Sequence, residues 1–485
     1  MIDDSLDPAD WESFAQLGHH MLDDLLQMLR TVRERPVWRK PPKDALAALR
    51  EGLPRRPQGA EKVYDDIRRW ILPNPLGNIH PRFWGWVIGT GTPLGMLADM
   101  LAAGMNSSLS GFDQVALRVE EQVLDWLKEV MGFPPKAGGV LLSGGSMANI
   151  VGLKVARDAQ AGYDLRREGV KGPPLRIYAS REVHSSVIKA VEMLGLGRQA
   201  LRLIDADDSF RIDVAKLEQA VRDDRIRGLR PICVVGTAGT VNSGACDDFH
   251  ALADFCRQQD LWLHVDGAFG ALARFSPQLR ERLAGMERAD SLGFDLHKWL
   301  SQPSDVASLL VRRPGVLETA FSVDADYLKA VPGGLMRIPS IMSDRGPQLT
   351  RSFRALKLWM ALKAEGTDKF GRIIRRNVEQ AAYLGELVER HPQLELLAPV
   401  ALNVVCFRFA PQGVPQRELD SLNEAIMVGL QEEGIAVLSS TLIGGRFSLR
   451  MANVNHRSMR ADFELLVKEI ARIGREQMEK RLQRH

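Results

Sequence analysis

The chain has 485 residues, is 45% hydrophobic and 26% charged, and carries a formal net charge of +3. It can bury a large core without disulfide staples, as two to four domain-sized units or one large α/β domain with appendages. A charge so close to neutral argues against nucleic acid or an anionic membrane as partner.

Residues 1–80 read as a helical segment. Asp7-Pro8 has the chemistry of a helix start. Phe14, Leu17, Met21, Leu22, Leu25, Met28, Leu29 and Val32 then recur at helical spacing. Such a helix cannot bury its stripe alone, so it needs the main body or a second subunit. The start Met-Ile-Asp-Asp lacks the apolar core of a secretory signal, and no apolar run approaches the ~20 residues that span a bilayer. A Pro-rich basic connector, 35–57, follows.

His80-Pro-Arg-Phe-Trp-Gly-Trp86 is an aromatic cluster, and Gly89-Thr-Gly-Thr-Pro-Leu-Gly95 comes after it. These glycines do not fit the dinucleotide-binding pattern G-x-G-x-x-G. Periodicity predicts helices over 93–105 and 115–131. Gly138 to Asn149 then runs from an apolar strand through Ser143-Gly-Gly into a helix predicted over 147–159. Glycines there permit close backbone approach, and the free N–H groups of a helix start attract an anion.

Strand-like runs continue at 175–179, 231–236, 261–265, 291–295 and 308–311, with helical segments such as 184–194 and 214–222 between them. This alternation predicts a largely parallel sheet covered by helices. Sites in such sheets gather at the carboxyl ends of strands. Ser143-Gly-Gly, Asp266 and Asp295 to Lys298 all fall at such ends, and His184 opens a helix just after another. A lysine that forms a Schiff base with an aldehyde, facing a carboxylate that keeps a pyridine nitrogen protonated, is the chemistry of pyridoxal 5'-phosphate.

Ala330 to Gln348 holds three prolines and three glycines and reads as a long loop, a position where lids are found. Helices follow at 351–364 and 375–390. Short strands at 402–409, 436–438 and 446–451 and a helix at 460–477 read as a small α+β domain. The expected division is thus 1–80, a large domain over 81–365 and a small domain over 366–485. Cys233, Cys246, Cys256 and Cys406 show no CxxC spacing and predict reduced thiols in a cytoplasmic protein.

Together, Ser143-Gly-Gly-Ser-Met-Ala-Asn149, His184-Ser-Ser, Gly236-Thr-Ala-Gly-Thr240, His264-Val-Asp-Gly-Ala268, Asp295-Leu-His-Lys-Trp299 and Phe353-Arg-Ala-Leu-Lys357 resemble the group II pyridoxal-phosphate-dependent amino acid decarboxylases, the family of the aromatic amino acid decarboxylases. The resemblance implies fold type I: a large domain with a mostly parallel seven-stranded sheet, a small C-terminal domain, and an N-terminal segment that packs across a homodimer whose active site lies at the subunit interface. It implies decarboxylation of an L-amino acid, aromatic by the aromatic pocket, through a Lys298 Schiff base and a quinonoid intermediate.

By the same resemblance Asp266 pairs with the pyridine nitrogen, Ala268 packs under the ring and His184 stacks over it as a second catalytic residue. Gly145, Ser146 and Met147 cradle the phosphate, with Asp295 and His297 nearby, and Thr240 lies near the ring hydroxyl. Trp86, Gly89, where the family has threonine, and Arg450 face the substrate. One departure stands out. The family's loop tyrosine falls near Met342, and this chain has no tyrosine between Tyr327 and Tyr383. Relatives with phenylalanine there are aldehyde synthases, which makes oxidative deamination the alternative activity.

Overall fold

Seven strands form one sheet: β1 (Gly138–Leu142), β2 (Leu175–Ser180), β3 (Leu201–Ile204), β4 (Arg230–Thr237), β5 (Trp262–Asp266), β6 (Ser291–Asp295) and β7 (Ala307–Val311). Their order is β1-β7-β6-β5-β4-β2-β3. The computed structural model describes residues 5–323, 333–336 and 342–483. β7 runs antiparallel to both of its neighbours, β1 and β6, while the pairs from β6 to β3 are parallel. β1 therefore points the same way as β4, β5 and β6. The carboxyl ends at Leu142, Thr237, Asp266 and Asp295 open on one edge of the sheet.

The central strands β5, β6 and β7 are buried along their whole length, which is why they read as unbroken apolar runs rather than alternating ones. β3 gave no clear signal in the sequence. It is a four-residue edge strand holding Arg202, whose guanidinium donates to Asp224 at 2.7 Å, and a charge suits an edge.

A second, four-stranded antiparallel sheet has the order β10-β11-β9-β8, with β8 (Leu394–Leu396), β9 (Val404–Phe409), β10 (Ser439–Ile443) and β11 (Arg446–Ala452). The strand expected over 436–438 begins instead at Ser439. Val437 is occupied elsewhere: its amide donates to Arg82 O at 3.1 Å and its carbonyl accepts from Trp84 N at 2.8 Å. The 80–86 aromatic segment is thereby stitched to the small sheet. Helices Gln416–Glu432 and Arg460–Leu482 cover that sheet, the first unforeseen in the sequence.

The two helices expected over 351–364 and 375–390 are one element, Ala355–Arg390, interrupted at Gly366, whose φ is 70°. The element starts after Arg351 because that side chain is buried elsewhere. It pairs with Glu120 and donates to Leu109 O and Leu141 O, each at 3.0 Å. This links the residue before the loop-to-helix junction to the end of β1.

The N-terminal helix spans Trp11–Arg30. Its cap is Asp10, whose carboxylate accepts from the amides of Glu12 and Ser13, and not the expected Asp7-Pro8. None of its residues is buried, and Trp11 and Phe14 stay 64% and 50% exposed. All four cysteines are free thiols. No helix among the described residues is long and apolar enough to cross a membrane.

Three histidines are held neutral mainly by burial: His80 and His456, each lowered to about 4, and His264, lowered to about 3, from 6.5. A folded-state value below the unfolded one contributes stability that is present above 6.5 and is lost as the pH falls toward the folded value. Each histidine should contribute a slope of about 1.4 kcal/mol per pH unit in that window. Urea unfolding at a series of pH values should show this acid weakening, and His456→Gln should flatten the slope by one proton.

Candidate active site

The strand ends define a cavity of about 300 Å³, lined in part by Trp86, His184, Thr237, Asp266, Lys298 and Arg450. Lys298 follows β6 and the turn after it. Its ammonium lies 2.8 Å from Asp295 Oδ2. The other oxygen of Asp295 accepts from the Gly145 amide at 2.5 Å, at the start of helix Gly145–Gln160. One carboxylate thus ties the lysine to the glycine turn. A Cβ at Gly145 would lie 2.9 Å from Asp295 Oδ2, so only glycine fits there without displacement. The first helical amides, those of Ser146 and Met147, lack intrahelical acceptors by geometry and can receive an anion.

Asp266 closes β5 and is 3% exposed. Its Oδ2 accepts from Asn149 Nδ2 at 2.8 Å and its Oδ1 from the Ala268 amide at 3.1 Å. Ala268 lines the cavity beside it. His184 caps helix Ser185–Met193, its Nδ1 accepting from the Ser186 amide at 3.2 Å. Burial pushes its pKa down, the charge of Asp266 pulls it up and Lys298 lowers it. His297 holds the turn between β6 and β7, with Nδ1 2.9 Å from Val306 O, and sits 3.8 Å from Asp295.

Two sequence expectations are corrected. The Thr240 hydroxyl is shared with Ser243 at 2.9 Å and its amide donates to Ala245 O at 2.7 Å, so it braces a turn and does not line the cavity. The cavity wall has Thr237 instead. It ends β4 opposite Asp266 in register, lines the cavity, and its buried hydroxyl has no partner among the described residues. Its position inside Gly236-Thr-Ala-Gly-Thr240 was the available signal. Gly89 is no pocket-wall position either. A Cβ there would sit 1.7 Å from His297 O and 2.8 Å from Lys298 O, so glycine is required for the backbone to pass under the lysine.

Trp86 and Arg450 both line the cavity and meet through the backbone: Arg450 Nη1 donates to Trp86 O at 3.0 Å and Nε to Asn242 O at 3.1 Å. Arg450 is 4% exposed, and no carboxylate pairs with it among the described residues. Asn242, unassigned from sequence, lines the cavity with its amide locked between Glu182 (2.9 Å) and Thr441 (2.6 Å). Tyr327 and residues 330–332 and 337–341 of the 330–348 loop lie outside the described residues. Met342, near which the resemblance puts the family's tyrosine, is fully buried.

A buried carboxylate and a lysine on one cavity, an amide-lined helix start and an orphaned hydroxyl beside the carboxylate fit pyridoxal phosphate: a site for the pyridine nitrogen, the aldehyde, the phosphate and the ring oxygen. With the seven-stranded sheet they define a pyridoxal-phosphate-dependent enzyme. The chain belongs to the pyridoxal-dependent decarboxylase family, whose conserved domain matches residues 42–410. It is 31% identical over 474 residues to an aromatic-L-amino-acid decarboxylase of Bacillus atrophaeus, with 96% of each chain covered. It is 29% identical over 461 residues to phenylacetaldehyde synthase of Arabidopsis thaliana, covering 92% of this chain and 93% of the relative. The crystal structure of Oryza sativa TDC with PLP and tryptamine matches with a TM-score of 0.89 at 28% identity, over 98% of this chain and 100% of that one. The protein is a decarboxylase with pyridoxal phosphate as cofactor.

Gly89→Ala tests the support under the lysine. The added methyl should cost about 1–3 kcal/mol by overpacking and move Lys298. A lowered melting temperature together with weakened cofactor binding, followed by absorbance titration, is the expected outcome.

Proposed function

We propose that the enzyme converts an aromatic L-amino acid to its amine and CO2. The observation that carries this is the convergence of Lys298, Asp266 and His184 on one cavity whose remaining wall includes Trp86, Val87, Val241 and Phe269. An aromatic side chain buries well against such a wall, whereas a second carboxylate would lose hydration there without a partner. Arg450 is a buried cation without a carboxylate partner among the described residues, a costly arrangement that an anionic substrate group relieves. We assign it the orientation of the substrate carboxylate. The names of the Bacillus and Oryza relatives support the aromatic class.

When bound, pyridoxal phosphate supplies the electron sink for the carbanion left by CO2 loss. Asp266 would keep the ring nitrogen protonated, its own geometry fixed by Asn149 and Ala268. The Ser146 and Met147 amides would hold the phosphate, beside Gly145, whose own amide is taken by Asp295. Lys298 would hold the cofactor through its aldehyde, and the unpartnered Thr237 hydroxyl would be available to the ring oxygen.

A second activity, aldehyde synthesis with oxygen uptake, is favoured by one feature: the loop has no tyrosine, and a buried methionine stands at the corresponding position. The phenylacetaldehyde synthase among the relatives supports it. Incubation with a panel of L-amino acids, following CO2, amine, aldehyde and peroxide together, separates the two. CO2 with amine and no peroxide is the expected result, and aldehyde with peroxide would replace it by the second activity. Lys298→Ala should lose the visible band of the cofactor joined to the lysine, with CO2 release falling by several orders of magnitude.

The unburied N-terminal helix supports a homodimer in which a second copy covers Trp11 and Phe14 and completes the cavity. Sedimentation should give twice the chain mass, and Trp11→Glu with Phe14→Glu should shift it toward monomer with loss of activity.

A further inference from the structure

Behind the cavity lies a row of buried polar side chains of which only Asn149 has entered above. Trp262 Nε1 donates to Ser291 Oγ at 2.8 Å. Ser291 Oγ is 2.8 Å from His264 Nδ1. His264 Nε2 is 3.1 Å from Asn149 Oδ1. The Asn149 amide nitrogen then reaches both Asp266 Oδ2, at 2.8 Å, and Ser186 Oγ, at 2.9 Å. Ser186 Oγ lies 2.7 Å from His184 Nδ1. Trp262, Ser291 and His264 are fully buried, Asn149 is 1% exposed and Ser186 2%. Helix Gly145–Gln160 closes on the His264 ring so tightly that a Cβ at Gly152 would come within 2.5 Å of it.

The donor and acceptor inventory leaves one arrangement of protons. An indole N–H only donates, so Ser291 Oγ accepts from Trp262. At the other end the Asp266 carboxylate only accepts, so the Asn149 amide nitrogen faces it. Asn149 Oδ1 takes a hydrogen from His264 Nε2, and Nδ1 of the neutral ring is left to accept from Ser291 Oγ. The Asn149 amide is thereby oriented with both N–H groups toward Asp266 and Ser186. Ser186 Oγ, having accepted one hydrogen, gives its own to His184 Nδ1. The Ser186 backbone amide points at the same nitrogen from 3.2 Å, so Nδ1 of His184 is an acceptor on two independent counts. Its hydrogen resides on Nε2, which has no partner among the described residues.

We propose that Trp262, Ser291, His264, Asn149 and Ser186 form a directional hydrogen-bonded chain that sets both the orientation of the Asp266 carboxylate and the tautomer of His184, so that His184 presents a neutral Nε2–H donor to the cavity. All five are positioning residues. Two groups that line the cavity are thus oriented from one buried origin. His184 offers a hydrogen bond to the bound substrate or cofactor and keeps its proton. Giving it up from the neutral ring would leave an imidazolate beside the acceptor-only carboxylate of Asp266. This assignment rests on the function proposed above for the cavity, but the proton positions are a property of the protein itself.

The test is nitrogen NMR on protein labelled with 15N-histidine, with and without pyridoxal phosphate at neutral pH. His184 and His264 are identified by the signals lost in His184→Gln and His264→Gln. Both rings should give the pattern of a neutral imidazole protonated at Nε2. A ring protonated at Nδ1, or doubly protonated, at either position would overturn the chain. Ser291→Ala removes the hydrogen donated to His264 Nδ1 and should move His264 off the single tautomer, and an unchanged spectrum counts against the direction assigned. Asn149→Leu keeps the volume and removes both donors. It should weaken pyridoxal phosphate binding about ten- to a hundredfold with the far-UV spectrum retained, and unchanged affinity would remove Asp266 from the chain. A decarboxylation assay that failed while both tautomers were as stated would count against the function and leave the chain intact.

Discussion

Asp295 is the interaction on which the site depends. It ends a fully buried strand, and its two oxygens reach in different directions, one to the Gly145 amide and one to the Lys298 ammonium. The helix start and the lysine are therefore held at a fixed separation by one side chain. The glycine turn makes this possible, because any Cβ at Gly145 would meet the carboxylate. Close approach recurs on the other side of the lysine, where Gly89 lets a separate stretch of chain pass against the carbonyls of His297 and Lys298.

The cavity is walled by both sheets. β4, β5 and the turn after β6 contribute Thr237, Asp266 and Lys298, while Ser439, Ser440 and Arg450 come from β10 and β11. The 80–86 segment joins them, bonded to Val437 on one side and offering Trp86 to the cavity on the other. Arg450 and Asn242 complete the seam through backbone carbonyls and the Glu182 and Thr441 side chains. Polar groups at such a junction cost desolvation, and each is satisfied by a partner from a different part of the chain. That mutual satisfaction fixes how the small sheet sits on the large one.

The buried row from Trp262 to His184 shows the same economy within the large sheet. An apolar core could fill that space with more stability. A polar row instead carries orientation, because a donor-only indole at one end and an acceptor carboxylate at the other leave the intervening protons a single arrangement. The depressed pKa of His264, driven by burial, keeps the row neutral.

Much of this was legible in the sequence. Apolar runs of five or six residues ending in Asp266 and Asp295, with helices between, specified a parallel sheet and the edge where chemistry gathers, because strand burial and helix periodicity are local properties. Lys298, Asp266, His184 and the Ser143-Gly-Gly turn were legible for the same reason. What required the tertiary structure were contacts between segments distant in the chain. Which threonine lines the cavity, Thr237 rather than Thr240, depends on strand register. Whether Gly89 lines a pocket or passes beneath a lysine depends on a carbonyl more than two hundred residues away in sequence. That Asn149, Ser186, His264, Ser291 and Trp262 form one row depends on a helix, a cap and two strands meeting. No periodicity records such a meeting, because hydrogen bonds between distant segments leave no mark on the spacing of either.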